Sequence, residues 1–296
     1  MIDLHCHTTY SDGTYSVKDI LKEASKIELE VLSITDHNSV ESYLEMENMD
    51  VNKLFKGKII CGCEFTTKFD NRLIEVLGYG IDYRKVNMWL KNRYNEEIGT
   101  KNVQTLFHRL VNIIDKIGLK YNYDCLHYPQ RENDFFERSF YEEIIKYPEN
   151  LEIIDENIFT NFSDFFRKGL TNKDSKLFLN AIEFKPSIDE VIKIIHECGG
   201  IALLAHPFQY KFIDTEDFLE KVINESKLDG IECFYTTFNE EQSKYLVQFT
   251  KENNLLISGG SDCHGNNKIN HYLGSGAGNL NIDKSIINNW NIEYYK

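Results

Sequence analysis

The chain has no CxxC pair, no block of lysines or arginines, and no apolar run long enough to cross a bilayer. Each absence removes a class of protein. The seven cysteines are scattered, and Cys61 and Cys63 sit in an apolar, strand-like run, so neither a disulfide framework nor a cysteine zinc site is expected. With 47 acidic against 33 basic side chains, the net charge of −14 disfavours duplex nucleic acid as a partner, because duplex binding rests on phosphate neutralisation. No charged n-region followed by an apolar h-region is found, so neither secretion nor membrane spanning is expected, and the expected location is cytoplasmic. No Gly/Ser linker, low-complexity tract or internal repeat divides the chain.

What is there is an alternation of short apolar runs and amphipathic stretches. With 296 residues and 42% hydrophobic content, the chain can bury one large core. Strands are predicted at "MIDLHC", 29–36, 57–65, 72–80, 200–206, 229–235 and 255–262. Between them, Ser16, Ser187 and Asn239 each open a helix with a polar cap and a partner three residues on. Strand, helix and strand in series predict parallel pairing and a barrel-like α/β architecture over 1–88 and 181–296. Residues 89–180, rich in Asn, Tyr, Phe and charge, predict a mainly helical inserted cap.

The opening "DLHCHTTYSDG" puts His5 and His7 on one face of a strand and Cys6 on the other. Two imidazoles on one face can hold a metal ion, or can be ordinary core histidines. Later runs weigh on that choice. "ITDHNS" offers Asp36 and His37, "GCEF" offers Glu64, "LLAHP" offers His206, and "GGSDCHG" offers Asp262 and His264. Nearly all fall at or just past the C-terminal end of a predicted strand, the rim where barrel active sites are assembled. Imidazole and carboxylate without thiolate suit zinc, manganese or iron(II). Cys6 and Cys263 flank candidate ligands and are read as packing residues. Asp36 either orients a ligating imidazole or caps the following helix. His108, His127, His196 and His271 lie outside these motifs and are read as exposed or structural.

As an ordered set, these runs resemble the motifs of the PHP (polymerase and histidinol phosphatase) superfamily, in its branch of nucleoside-phosphate and short-oligonucleotide phosphoesterases. The resemblance implies a distorted (β/α)7 TIM-like barrel binding two or three divalent ions. It implies His5, His7, Glu64 and Asp262 around a first ion, Glu64 and His206 around a second, and Asp12, His37 and His264 around a third. Asp12, His37, His264 and Glu64 would also serve catalysis, the hydrolysis of a phosphate ester by metal-activated water. The implied partner is a small phosphorylated substrate, nucleotide-like, or a short single-stranded oligonucleotide.

Three departures stand out. Glu75 occupies the position where the family carries a histidine ligand, and a carboxylate there can still bind a hard or borderline ion. Phe208, Gln209 and Tyr210 replace a Gly-Arg-Tyr run, making Gln209 and Tyr210 the substrate-binding candidates. Arg138 aligns with a basic segment of the relatives' insert. Arg109, Arg131 and Arg167 are the insert's other candidates to meet phosphate, and its aromatic residues either cover the barrel or stack on a base. A second enzyme reading is a histidinol-phosphate phosphatase, and the departures at Glu75 and Gln209 keep open a regulatory metal-binding domain with weakened turnover.

Overall fold

The computed structural model describes residues 1–130, 134, 136–210 and 214–295. They form two compact units, one of residues 1–90 and 185–296, the other of residues 91–184. No helix among them is long and apolar enough to cross a membrane.

Among the described residues, the first unit carries eight strands in two sheets. β1 (Ile2–Asp3), β2 (Val31–Leu32) and β3 (Lys58–Ile59) are two-residue strands paired in parallel. β4 (Gly62–Phe69), β5 (Arg72–Tyr79), β6 (Ile201–Leu204), β7 (Gly230–Tyr235) and β8 (Leu256–Gly260) follow in order in the second sheet. The pairs β6–β7 and β7–β8 are parallel, as the alternation of strand and helix predicts.

Uniform parallel pairing does not hold at β5, which runs antiparallel to both β4 and β6. Phe69 pairs with Arg72, leaving only Asp70 and Asn71 in the turn, too few for a crossover. Both turn residues have positive φ, 48° and 54°, which a tight hairpin needs and which Asp and Asn tolerate.

The run 57–65, predicted as one strand, is two, with β3 and β4 separated at Ile60 and Cys61. The Tyr43 hydroxyl fills the break. It accepts the Gly62 N–H at 2.8 Å and donates to the Ile34 carbonyl at 2.6 Å, so these buried backbone groups are satisfied without a ladder.

The predicted barrel is not found as one closed sheet among the described residues. Instead, backbone bridges at Cys6–Cys263 and His37–Glu64 tie the first sheet to the second. Ile2, Leu4, Val31, Leu77, Leu203 and Trp290 pack in the core they share. The predicted caps are present: Ser16 with Asp19 and Asn239 with Gln242 make reciprocal capping boxes, and Ser187 accepts the Glu190 N–H.

The second unit is built on the helix Glu96–Ile117, started by the Asn95 side chain and stopped at Gly118 in a left-handed conformation. Its aromatic residues make its own core. Phe107 is buried with ring centroids 5.8 Å from Phe136 and 5.2 Å from Phe140, both edge-on.

Candidate metal centre

His5 and His7 arrive on the backbone that continues β1, and the alternation predicted for them holds. Their rings sit 5.2 Å apart on the inner side, while the Cys6 thiol faces the Ser33 carbonyl on the other. β8 meets this segment so closely that a Cβ on Gly260 would lie 2.4 Å from the His5 nitrogen, which accounts for a glycine there.

Glu64, the third residue of β4, reaches the centre of the cluster. Its Oε2 lies 3.3 Å from His5 Nε2, 3.3 Å from His7 Nε2 and 3.1 Å from His37 Nδ1; its Oε1 lies 3.0 Å from His206 Nε2. Opposite it, Asp262 Oδ1 is 3.4 Å from His5 Nε2 and 3.1 Å from His7 Nε2. Glu75 approaches from the antiparallel strand β5, with its oxygens 3.4 Å from His206 Nε2 and 3.7 Å from His37 Nδ1. At the rim, Asp12 Oδ1 is 3.1 Å from His264 Nε2 and 3.8 Å from both His7 Nδ1 and His37 Nε2. All nine ligand candidates named from the sequence therefore converge. His5, His7 and Glu64 are sealed from solvent, whereas the Asp12, His37 and Glu75 side chains are 54%, 27% and 26% exposed, so the cluster has a buried floor and an open side.

The donors fit divalent ions. His5 Nε2, His7 Nε2, His37 Nδ1, His264 Nε2 and Glu64 Oε2 are buried with no hydrogen-bond partner among the described residues, a costly arrangement in a finished core. Donors bound at about 2.1 Å to one ion lie about 3.0 Å apart in octahedral and about 3.4 Å apart in tetrahedral geometry. The inner contacts fall in that range. Three sets have donor atoms mutually within 4.8 Å: His5, His7 and Glu64; His37, Glu64 and Glu75; and His7, Asp12, His37 and His264. His37 therefore faces the Glu75 set as well as the Asp12 set.

Electrostatics agree with this. Burial pulls the His7 imidazole down, but Asp262 and Glu64 outweigh it and hold its pKa at about 9. Burial pushes Glu64 and Asp262 up, and the facing imidazoles, His5 foremost, carry both well below the usual carboxylate range. Protons favoured on His5, His7 and His206 stand where metal would, and metal uptake would displace them. Burial raises both flanking thiols, with Cys263 pushed up to about 11, so neither is a ready nucleophile.

Sequence reasoning missed the groups that orient these side chains. The fully buried Glu232 accepts from His5 Nδ1 at 2.9 Å and from the His206 N–H at 2.8 Å. A carboxylate only accepts, so the proton is on Nδ1 and Nε2 is turned to the cluster. Asp262 Oδ2 accepts from the Tyr235 hydroxyl and the Lys268 ammonium, both at 2.6 Å, leaving Oδ1 for the cluster. Among the described residues, the Asp36 carboxylate meets neither an imidazole nor a helix N-terminus; it accepts from the Thr8 N–H and hydroxyl and the Ser11 hydroxyl, fixing the loop that carries Asp12. His206 and Asp262 both have positive φ, 23° and 53°, the kind of backbone outlier that functional sites hold in place. A carboxylate inside the apolar run "GIECFY" was the available signal for Glu232.

The substrate-binding candidates divide between the two units. Gln209 donates its amide to the Thr237 hydroxyl beside the cluster. Tyr210 uses its hydroxyl on backbone, accepting the Glu75 N–H at 2.8 Å and donating to the Ala205 carbonyl at 3.2 Å. Arg138 belongs to the helical unit, its guanidinium 4.5 Å over the Phe162 ring, and Arg109 pairs with Glu183. Arg131 lies outside the described residues.

Known proteins are similar to this chain along most of its length. A 5'-3' exoribonuclease of Haemophilus influenzae is 26% identical over 265 residues, 88% of this chain and 89% of its own. A phosphoribosyl 1,2-cyclic phosphate 1,2-diphosphodiesterase of Eggerthella lenta is 23% identical, covering 89% of this chain and 94% of its own. The solved structure of a proposed metal-dependent phosphoesterase from Bifidobacterium adolescentis shares the fold, with a TM-score of 0.65 at 22% identity over 97% of this chain and 93% of that one. The PHP domain model matches residues 3–234, which include seven of the nine converging ligand candidates, and the chain belongs to the PHP domain family.

Proposed function

We propose that this chain is a metal-dependent phosphoric ester hydrolase acting on a small, nucleotide-like substrate: a nucleoside mono- or bisphosphate or a short single-stranded oligonucleotide. The observation that carries this reading is the gathering of five imidazoles and four carboxylates into one cluster in which His5 Nε2, His7 Nε2, His37 Nδ1, His264 Nε2 and Glu64 Oε2 are buried without a hydrogen-bond partner among the described residues. The relatives' activities, on RNA and on a cyclic phosphate, support the substrate class.

His5, His7, Glu64 and Asp262 would hold one ion, Glu64, Glu75 and His206 a second, and Asp12, His37 and His264 a third. The donor set, imidazole and carboxylate without thiolate, supports manganese, iron(II) or zinc. Bound ions supply an acidified water and positive charge around the phosphoryl oxygens. The chain's own part is to keep that centre in shape. Glu232 sets the tautomer of His5, Tyr235 and Lys268 restrict Asp262 to one inward oxygen, and Tyr210 fixes the backbone of Glu75. Asp12, His37 and Glu75 form the open side, where the phosphate would enter. Gln209 is the candidate beside that opening to meet the rest of the substrate, and Arg138 the one proposed from the helical unit, read as an inserted cap. The two bridges between the sheets support a distorted (β/α)7 barrel as the frame.

Elemental analysis of the purified protein, with phosphate or nucleotide release measured on the same metal-defined sample, tests the reading. Two or three metal equivalents with release from nucleotides are expected; a protein that takes up no divalent metal after supplementation overturns it.

A further inference from the structure

Beside the metal centre lies a cleft of about 190 Å³ lined by Phe208, Gln209, Thr237, Phe238 and Gln242. Two segments that leave strands serving the centre make it, together with Gln242 of the helix Glu240–Glu252. Phe208 and Gln209 follow His206 directly, and Thr237 and Phe238 follow Tyr235 at the end of β7. A chain of rings joins the two places: Tyr235 is 5.1 Å from His206 on one side and 5.2 Å from Phe238 on the other. Thr236, between the loops' anchor points, donates to the Ser261 carbonyl at 2.6 Å, tying the cleft wall to the residue before Asp262.

The chemistry of the lining differs from that of the centre. None of the five side chains carries charge, so the cleft offers no ion pair to a second phosphate. Phe208 is half-buried and meets the nearly buried Phe238 edge to face at 5.4 Å, which leaves ring surface at the cleft. The two amides have fixed ends. Gln242 uses its carbonyl oxygen to accept the Asn239 N–H, so its NH2 remains as a donor; Gln209 gives its NH2 to Thr237, so its carbonyl remains as an acceptor. An aromatic surface flanked by one donor and one acceptor matches a flat ring with a donor and an acceptor on its edge.

We infer that this cleft binds the nucleobase of the substrate, stacked on Phe208 and read by the Gln209 and Gln242 amides, while the phosphate is held at the metal centre. This inference rests on the proposed phosphoesterase reading for its substrate class. It assigns specificity to neutral groups and makes the base, not a second phosphate, the feature selected.

Calorimetric binding to the manganese-loaded protein tests it, with adenosine and cytidine 5'-monophosphates compared with ribose 5-phosphate. The nucleotides should bind tighter by about 5- to 150-fold, the range expected for one base stacked on one aromatic ring. Phe208→Leu keeps an apolar side chain but removes the ring, and should bring that ratio close to one; Gln209→Leu should lower it in part. Equal affinity for all three ligands, or a ratio unmoved by Phe208→Leu, overturns the cleft assignment. Turnover of ribose 5-phosphate is scored separately. Its hydrolysis without base preference would sink the cleft and leave the phosphoesterase standing, whereas base-dependent binding with no hydrolysis of any ester would do the reverse.

Discussion

Glu232 and His5 meet at 2.9 Å in the fully buried floor of the site, and the second oxygen of the same carboxylate holds the backbone of His206. One side chain thus sets both the tautomer of one candidate ligand and the unusual backbone of another. Glu232→Gln retains size and one acceptor but loses the charge that favours an N–H at His5 Nδ1. Metal affinity, measured by chelator competition, should fall about 10- to 100-fold, the usual cost of losing an outer partner of a ligating histidine. Unchanged affinity would make Glu232 a packing residue.

Glu64 and Asp262 face the imidazoles directly, so their loss should exceed that range. Asp262→Asn and Glu64→Gln are each expected to reduce bound metal and abolish turnover together, by elemental analysis and product release. Full activity in either variant would refute the assignment.

Glu75 provides a graded test. Glu75→His should retain or improve metal loading, since imidazole suits the same ions, while Glu75→Ala should lower it. Equal metal content in all three proteins would place Glu75 outside the ligand set.

Asp36 holds the loop before Asp12 through three accepted hydrogen bonds. Asp36→Ala strands the Thr8 N–H and two hydroxyls, and should destabilise the fold by about 2–4 kcal/mol in denaturant titration. It should also release the most exposed metal equivalent first, since Asp12 depends on that loop. Loss of all equivalents together would argue against a separate outer ion.

Metal removal is expected to lower thermal stability, because ions that bind only the folded state stabilise it by about 2.7 kcal/mol at a hundred times Kd. For a chain of this size that corresponds to a Tm shift of about 4 °C, growing with metal concentration. A Tm indifferent to chelator and to added manganese would contradict a metal centre in this cluster.

His5, His7, His37, Glu64, His206, Asp262 and His264 were legible as candidates because each sits in a short motif on or near a strand, whereas Glu75 and the ligand role of Asp12 came only from the family resemblance. The helix caps at Ser16 and Asn239 were legible for the same reason, since a capping box is complete within four residues. The β4–β5 hairpin was not. Its Asp-Asn turn is a weaker signal than Asn-Gly, and the surrounding alternation of strand and helix argued for a crossover. The break at Ile60 and Cys61 depends on Tyr43, well away in sequence. Glu232, Tyr235 and Lys268 act on ligands between 6 and 227 positions away, a relation that only the folded chain supplies.

The hairpin also decides how position 75 is controlled. Most other ligands end a strand or sit in a loop, where a small shift of backbone adjusts a side chain by degrees. Glu75 stands mid-strand, opposite Thr66 in a ladder running from Gly62–Tyr79 to Phe69–Arg72. Its aim is therefore a matter of parity. Residues added at the Asp70–Asn71 tip leave that pairing intact, but one residue added between Arg72 and Ile74 with the Phe69–Arg72 pairing kept would turn the carboxylate to the far face and offer Ile74 to the metal centre instead.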